Sequence, residues 1–166
     1  MRTIEETKIC VKGGAGNLKK TIAAPNNGYP SQPVVAVGAI VFRDNRVLLV
    51  KRGQAPSRHL WAIPGGRVEI GETLQEAAER ETTEETGITI RALEPVYTFD
   101  YIERDGSALP RFHYVIIDLS ADYISGEIRA GDDAAEARWV AAEELAGISV
   151  SSKTLHLLKT RFDFGI

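Results

Sequence analysis

The strongest constraint on this chain lies between Gly66 and Ile88, in a helix that turns its charge the wrong way. Thr73 to Thr86 has helical patterning, with Thr73 placed to cap its start and Gly87 to stop it. On a wheel of about 100° per residue, Leu74, Ala77 and Ala78 define the side that should bury. Glu81 and Glu85 continue that stripe and Glu84 sits beside it, while Glu76, Glu79 and Thr83 fall opposite, where solvent is expected. Two or three carboxylates therefore face the protein or a cleft in its surface. Unpaired, they repel and raise one another's pKa values, so a positive charge has to sit among them. The local cations are Arg67 and Arg80, against Glu69, Glu72, Glu76, Glu79, Glu81, Glu84 and Glu85. A hard divalent cation resolves that deficit, and glutamates at i, i+3 and i+4 can converge above a helix face. Carboxylates without Cys or His partners favour Mg2+ or Mn2+ over zinc, and His59, His113 and His156 are too scattered for a zinc motif.

Around this segment the chain divides in two. Residues 1–33 hold a short candidate strand, Thr7 to Lys12, then Gly13-Gly14-Ala15-Gly16-Asn17 and a run rich in Pro, Asn and Gly, the composition of a flexible N-terminal arm or linker. Lys19 and Lys20 lack the glycine that precedes the lysine of a phosphate loop. Residues 34–166 read as one domain. Strands are expected at Val34–Phe42 and Arg46–Lys51, joined by the turn pair Asp44-Asn45, and at Ile88–Arg91, Val96–Glu103, Arg111–Leu119 and Ala137–Val140. Asp105-Gly106 marks a further turn, and Ala141–Ala146 and Ser151–Arg161 complete the helices. This order predicts an α/β fold, a mixed sheet flanked by helices.

Bulk properties narrow the function classes. A net charge of -3 over 166 residues leaves no basic excess for stable nucleic-acid binding, though a small anionic substrate needs only a local pocket. The single Cys10 forms no internal disulfide, which fits a reducing, cytoplasmic setting. No stretch has the apolar length of a membrane span, and the N-terminus lacks the apolar region of a signal peptide.

Gly66, five residues, Glu72, seven residues, Arg80-Glu81, two residues, Glu84-Glu85, one residue, Gly87 and then Ile88 together resemble the Nudix box. All seven fixed residues agree, by chance on the order of once in 10⁸ starting positions. Thr82 departs from the pattern, where the family prefers an aliphatic residue. The flanks Trp61–Gly66 and Ala134–Val140, with Glu143-Glu144-Leu145, are also typical, so the resemblance spans most of Val34–Leu145. It implies an α/β/α sandwich with Glu81, Glu84, Glu85 and the Gly66 carbonyl as metal ligands. It implies also a structural salt bridge between Glu72 and Arg80, backbone roles for Gly66 and Gly87, and the homodimers common in the family.

Such a cluster suits hydrolysis of a phosphoanhydride, in which oxygens are neutralised, a water is held in line and its proton is taken. Glu81 or Glu84 is the expected base; in the family it often comes instead from a loop outside the box, where Glu136 leads and Asp132 and Asp133 follow. Arg52, Arg58 and Arg111 are candidate phosphate contacts, and Tyr97, Phe99, Tyr101 or Phe112 candidate base-stacking groups. Alternation at 97, 99 and 101 is also what one strand face gives, and Trp61 and Trp139 read as core. The flanking segments are similar to members of the ADP-ribose pyrophosphatase-like branch. The expected substrate is thus a nucleoside diphosphate linked to another moiety, ADP-ribose first, with a (d)NTP second. A regulator that binds ligand without catalysis and an RNA cap-removing enzyme are the alternatives.

Overall fold

The computed structural model describes residues 29–129 and 134–165; the candidate strand at Thr7–Lys12 and the pair Asp132-Asp133 lie outside them. Strand β1 (Val34–Arg43) is an almost unbroken apolar run, which suits a strand covered on both faces. It turns at Asp44 and Asn45, both at positive φ (50° and 57°), into β2 (Arg46–Arg52). The two strands share register only at Phe42–Val47 and Arg43–Arg46 before parting. Pro64 to Val68 takes the edge that β2 leaves open: Val37 N–H donates to the Gly66 carbonyl (2.9 Å), Ala39 N–H to Pro64 (2.9 Å), and Val68 N–H to Val35 (3.1 Å). A Cβ on Gly65 would lie 2.1 Å from the Val37 carbonyl oxygen, so this close approach requires glycine.

The sheet runs β3 (Trp61–Ala62), β2, β1, β5 (Pro110–Ser125), β4 (Thr89–Arg104), with β6 (Ala134–Ala141) on β2. The β1–β5 pair is parallel and the other pairs are antiparallel, giving the mixed sheet expected. The expected strands Ile88–Arg91 and Val96–Glu103 are one strand. Its register shifts on either side of Pro95, which has no N–H to give, and β5 holds the strand together across the irregularity. The expected helix at Ala141–Ala146 is a 3-10 turn, Ala142–Gly147.

Helices cover both faces. α1 (Leu74–Thr86) packs Ala77 and Ala78 on Val37, Ala39, Val41, Leu48 and Leu119; α2 (Ser152–Phe162) packs Leu157 and Leu158 on Ile40, Val47, Leu49 and Trp61. Trp61 and Trp139 both pack with these cores. Backbone bonds from Trp61 N–H to Ser149 and from Ser151 N–H to Trp61 (both 2.8 Å) pin the start of α2 beside β3. Among the described residues, no helix is long and apolar enough to cross a membrane.

Candidate active site

The site is built on α1 and the loop before it. Thr73 and Glu76 form a reciprocal capping box at the start, and Gly87, in the left-handed region at φ 71°, donates to Thr83 (2.8 Å) at the end. The buried seam of the helix runs through Ala77, Ala78, Thr82 and Thr86, a step aside from the stripe read off the sequence. Glu81 and Glu85 flank that seam half-buried, whereas Glu84 is on the solvent side with its side chain 60% exposed. The Thr86 hydroxyl donates to Thr82 O (2.6 Å) and accepts from Ile88 N–H (3.1 Å). Thr82 is fully buried and its hydroxyl has no partner among the described residues.

Arg80 organises the acidic groups. Its Nε and Nη2 grip Glu72 at 2.6 and 2.9 Å, and Nη2 also donates to the Arg67 carbonyl (3.0 Å). Glu72 accepts a further bond from Glu69 N–H (2.9 Å). The Arg80 guanidinium first, then that N–H, holds the Glu72 carboxyl down to about 2, and the arginine's own pKa is raised in turn. The remaining nitrogen, Nη1, bridges Glu81 (2.9 Å) and Glu84 (3.2 Å).

Glu81 packs on Gly66: a Cβ there would lie 2.4 Å from its carboxyl oxygens. Glu85 accepts a hydrogen bond from Gly65 N–H (2.9 Å). The two recessed carboxylates thus sit against successive peptides of one loop, and Glu84 meets Glu81 through Arg80. Each takes a donor close to it, as like charges do, and among the described residues no three acidic or histidine side chains form a ready-made ion cage. The donor set still suits a hard divalent cation: three carboxylates from two turns of one helix, a glycine whose missing side chain leaves room for one of them, and the Gly66 carbonyl. That carbonyl accepts from Val37 N–H and keeps its second lone pair.

Glu81 and Glu85 close one end of a cleft of about 540 Å3 between the sheet face, the loop 53–57 and the start of α2. Gly38, Phe99, Tyr101, Tyr114 and Asp118 line it from the sheet, Arg52 and Arg67 from its rim, and Lys153 from α2. Arg58 and Arg111 are exposed and outside this lining, because the loop and strand end carrying them turn to solvent; Arg111 lies over the Phe112 ring (5.6 Å). Glu136 is also outside it, paired with Lys51 across β2 and β6 (3.6 Å). Phe99 and Tyr101 line the cleft, whereas Tyr97 packs toward His156 and Phe112 stacks on Tyr114. A wider groove of about 640 Å3 near Phe162 contains Arg91 and Asp122, which neutralise each other at 2.6 Å.

Asp118 escaped the sequence reading. It is 4% exposed, and burial alone pushes its carboxyl up to about 7. The available signal was a lone acid in the apolar run Tyr114–Leu119.

A family model described as NUDIX domain matches residues 32–158, which covers the loop, α1 and every residue that lines the cleft. The chain belongs to the Nudix family. It is 43% identical over 107 residues to an ADP-ribose pyrophosphatase of Methanocaldococcus jannaschii, covering 64% of this chain and 61% of that protein. It is 33% identical over 122 residues to an NAD-capped RNA hydrolase of Haemophilus influenzae, covering 70% and 43% respectively. The chain therefore spans about three fifths or less of the length of these relatives. Among solved structures, a MutT NUDIX hydrolase from Burkholderia pseudomallei superposes with a TM-score of 0.66 at 34% identity, covering 77% of this chain and 97% of that one. The α/β/α sandwich is thus the Nudix fold, with the Nudix box forming the loop and α1.

Proposed function

We propose that this Nudix protein is a pyrophosphohydrolase that cleaves a nucleoside diphosphate linked to a second moiety, with ADP-ribose the first substrate and Mg2+ (or Mn2+) required. The observation that carries this is the pair of recessed carboxylates, Glu81 and Glu85, set against Gly65-Gly66 in a cleft that Phe99, Tyr101 and Tyr114 also line. Glu81, Glu84, Glu85 and the Gly66 carbonyl would hold the metal, which neutralises phosphate charge and orients the attacking water. Glu84, the exposed one of the three, or Glu81 takes the proton from that water. Glu136 is disfavoured as the base because Lys51 already neutralises it. The Glu72–Arg80 pair positions the loop, and Gly87 allows the chain to leave α1 sharply. Arg52, whose Nε is held by the Pro56 carbonyl (3.1 Å), is the cleft-side phosphate contact retained from the sequence reading.

The 43% identity to an ADP-ribose pyrophosphatase supports the substrate order, and the complete carboxylate set supports catalysis over silent binding. We further assign residues 34–166 to the hydrolase domain and 1–33 to an N-terminal arm, with the cytoplasm as the setting for a single-cysteine chain that binds no nucleic acid stably. The test is a panel of ADP-ribose, dinucleoside polyphosphates, NTPs and capped RNA with Mg2+. ADP-ribose and water should yield AMP and ribose 5-phosphate. Saturable binding without turnover of any member would replace the enzyme by a ligand-binding regulator, and preferential turnover of capped RNA would replace the small substrate.

A further inference from the structure

The cleft carries both signs of charge on different walls. Glu81 and Glu85 reach it from α1, while Arg52 of β2, Arg67 of the loop and Lys153 of α2 bring its cations. Among the described residues, ion pairs engage Arg43, Lys51, Arg80 and Arg91, and none includes those three cations. Two of the three are held by neutral oxygens: Arg52 Nε donates to the Pro56 carbonyl (3.1 Å) and Arg67 Nη2 to the Tyr114 hydroxyl (3.2 Å). Lys153 rests instead on an aromatic face, its Nζ 5.1 Å from the centroid of the Phe99 ring. Ser151 N–H pins the start of α2 to the Trp61 carbonyl of β3 (2.8 Å), so the Lys153 side chain reaches across the cleft from the β3 side to β4.

Charge decides what such a cleft takes. One divalent cation among Glu81, Glu84 and Glu85 leaves the centre negative, because Arg80 is already shared with Glu72. A diphosphate arriving there adds more negative charge, which only unpaired cations on the other walls can balance. An uncharged nucleoside needs none. A cation–π contact at an exposed position is weak beside a charge-assisted hydrogen bond to phosphate, so an arriving phosphate takes the ammonium from the ring.

We propose that Lys153 is a specificity-determining residue that pairs with the diphosphate of the substrate, its ammonium held over the cleft by Phe99 until the phosphate arrives. This rests on the hydrolase reading for its substrate class. As a point charge on a flexible stem, the ammonium selects by charge, favouring a diphosphate over a monophosphate and either over a free nucleoside.

The experiment measures calorimetric binding of the α,β-methylene analogue of ADP, which has no anhydride oxygen to cleave, and of AMP and adenosine. Each is titrated in Mg2+ into the wild-type protein, Lys153→Gln and Lys153→Arg. Lys153→Gln should weaken the diphosphate analogue by about tenfold or more, weaken AMP less and leave adenosine unchanged. Added salt should lower its affinity for the analogue less steeply than that of the wild type, and Lys153→Arg should recover most of the loss. Unchanged affinity for the analogue in Lys153→Gln, a loss shared equally by adenosine, or no binding of any probe to the wild-type protein overturns the proposal. Turnover of ADP-ribose without a Lys153→Gln penalty overturns this proposal alone. The penalty on the diphosphate without Mg2+-dependent turnover of ADP-ribose overturns the hydrolase reading alone.

Discussion

Replacing Asp118 by Asn should make the protein less sensitive to rising pH, by an amount the burial of the carboxyl sets. The ordinary value is 3.8, and in the folded protein burial raises it to about 7. A carboxyl raised on folding holds its proton more tightly in the native state, so the native state loses stability as pH climbs from the unfolded value to the folded one. Within that window each pH unit costs about 1.4 kcal/mol, and the whole loss is about 4 kcal/mol, complete and flat above about pH 7. Asparagine has the same shape and does not ionise, but its buried amide N–H groups lack acceptors, a pH-independent cost of about 1–3 kcal/mol. The stability of Asp118→Asn relative to wild type should therefore rise by about 4 kcal/mol between about pH 4 and 7 and then level off. Urea unfolding of both proteins across that range measures it, since all other titrations are shared and cancel. At this chain length each 1 kcal/mol corresponds to about 2–4 °C in melting temperature. Parallel stability curves would show that Asp118 ionises as freely in the folded state as in water, and the account of a desolvated carboxyl would be wrong.

Three further substitutions probe α1 and its loop. Glu84→Gln should abolish Mg2+-dependent turnover of ADP-ribose while leaving the melting temperature close to wild type, because this side chain is 60% exposed; undiminished turnover removes Glu84 from the site. Gly66→Ala places a methyl group 2.4 Å from the Glu81 carboxyl, so it should lower kcat/KM by on the order of 100-fold, with Mn2+ affinity falling in parallel. Thr82→Val removes a buried hydroxyl that has no partner and keeps its volume, so urea unfolding should show about 1 kcal/mol of stabilisation; a loss of stability would mean that the hydroxyl is satisfied.

What the sequence disclosed was what neighbours in the chain decide. Thr73, Glu76 and Gly87 fix the ends of α1 through contacts within a turn, and the Asp44-Asn45 turn fixes the β1–β2 hairpin. The helical wheel was correct that glutamates leave the solvent face, but it placed them on the buried seam itself. The seam follows Ala78, Thr82 and Thr86, with Thr82 packed where the family's aliphatic residue was expected, and Glu81 and Glu85 lie at its flank. The strand break at Pro95 looked final locally and was overruled by β5, a long-range partner. The same limit hid Asp118: its burial depends on parallel pairing of β1 with β5 and on the absent side chain of Gly38, neither of which has a local mark. Arg58 and Arg111 were chosen by residue type, and type alone does not say which cations a loop returns to the cleft.

The distribution of Arg80's donors bears on how such an acidic helix stays folded and still serves a metal. Nε and Nη2 are committed to Glu72 and the Arg67 carbonyl, contacts that tie the loop to α1. Only Nη1 touches Glu81 and Glu84. On the proposed reading, therefore, gathering those carboxylates around a divalent cation requires the release of two side-chain contacts and no movement of the loop, which Glu72 continues to hold. Lysine at this position would offer a single point charge, unable to grip Glu72 with two nitrogens while a third neutralises the site. Arginine is required here by geometry as much as by charge: one planar group keeps the scaffold fixed and the acidic cluster soluble in its own structure until a stronger cation competes for it.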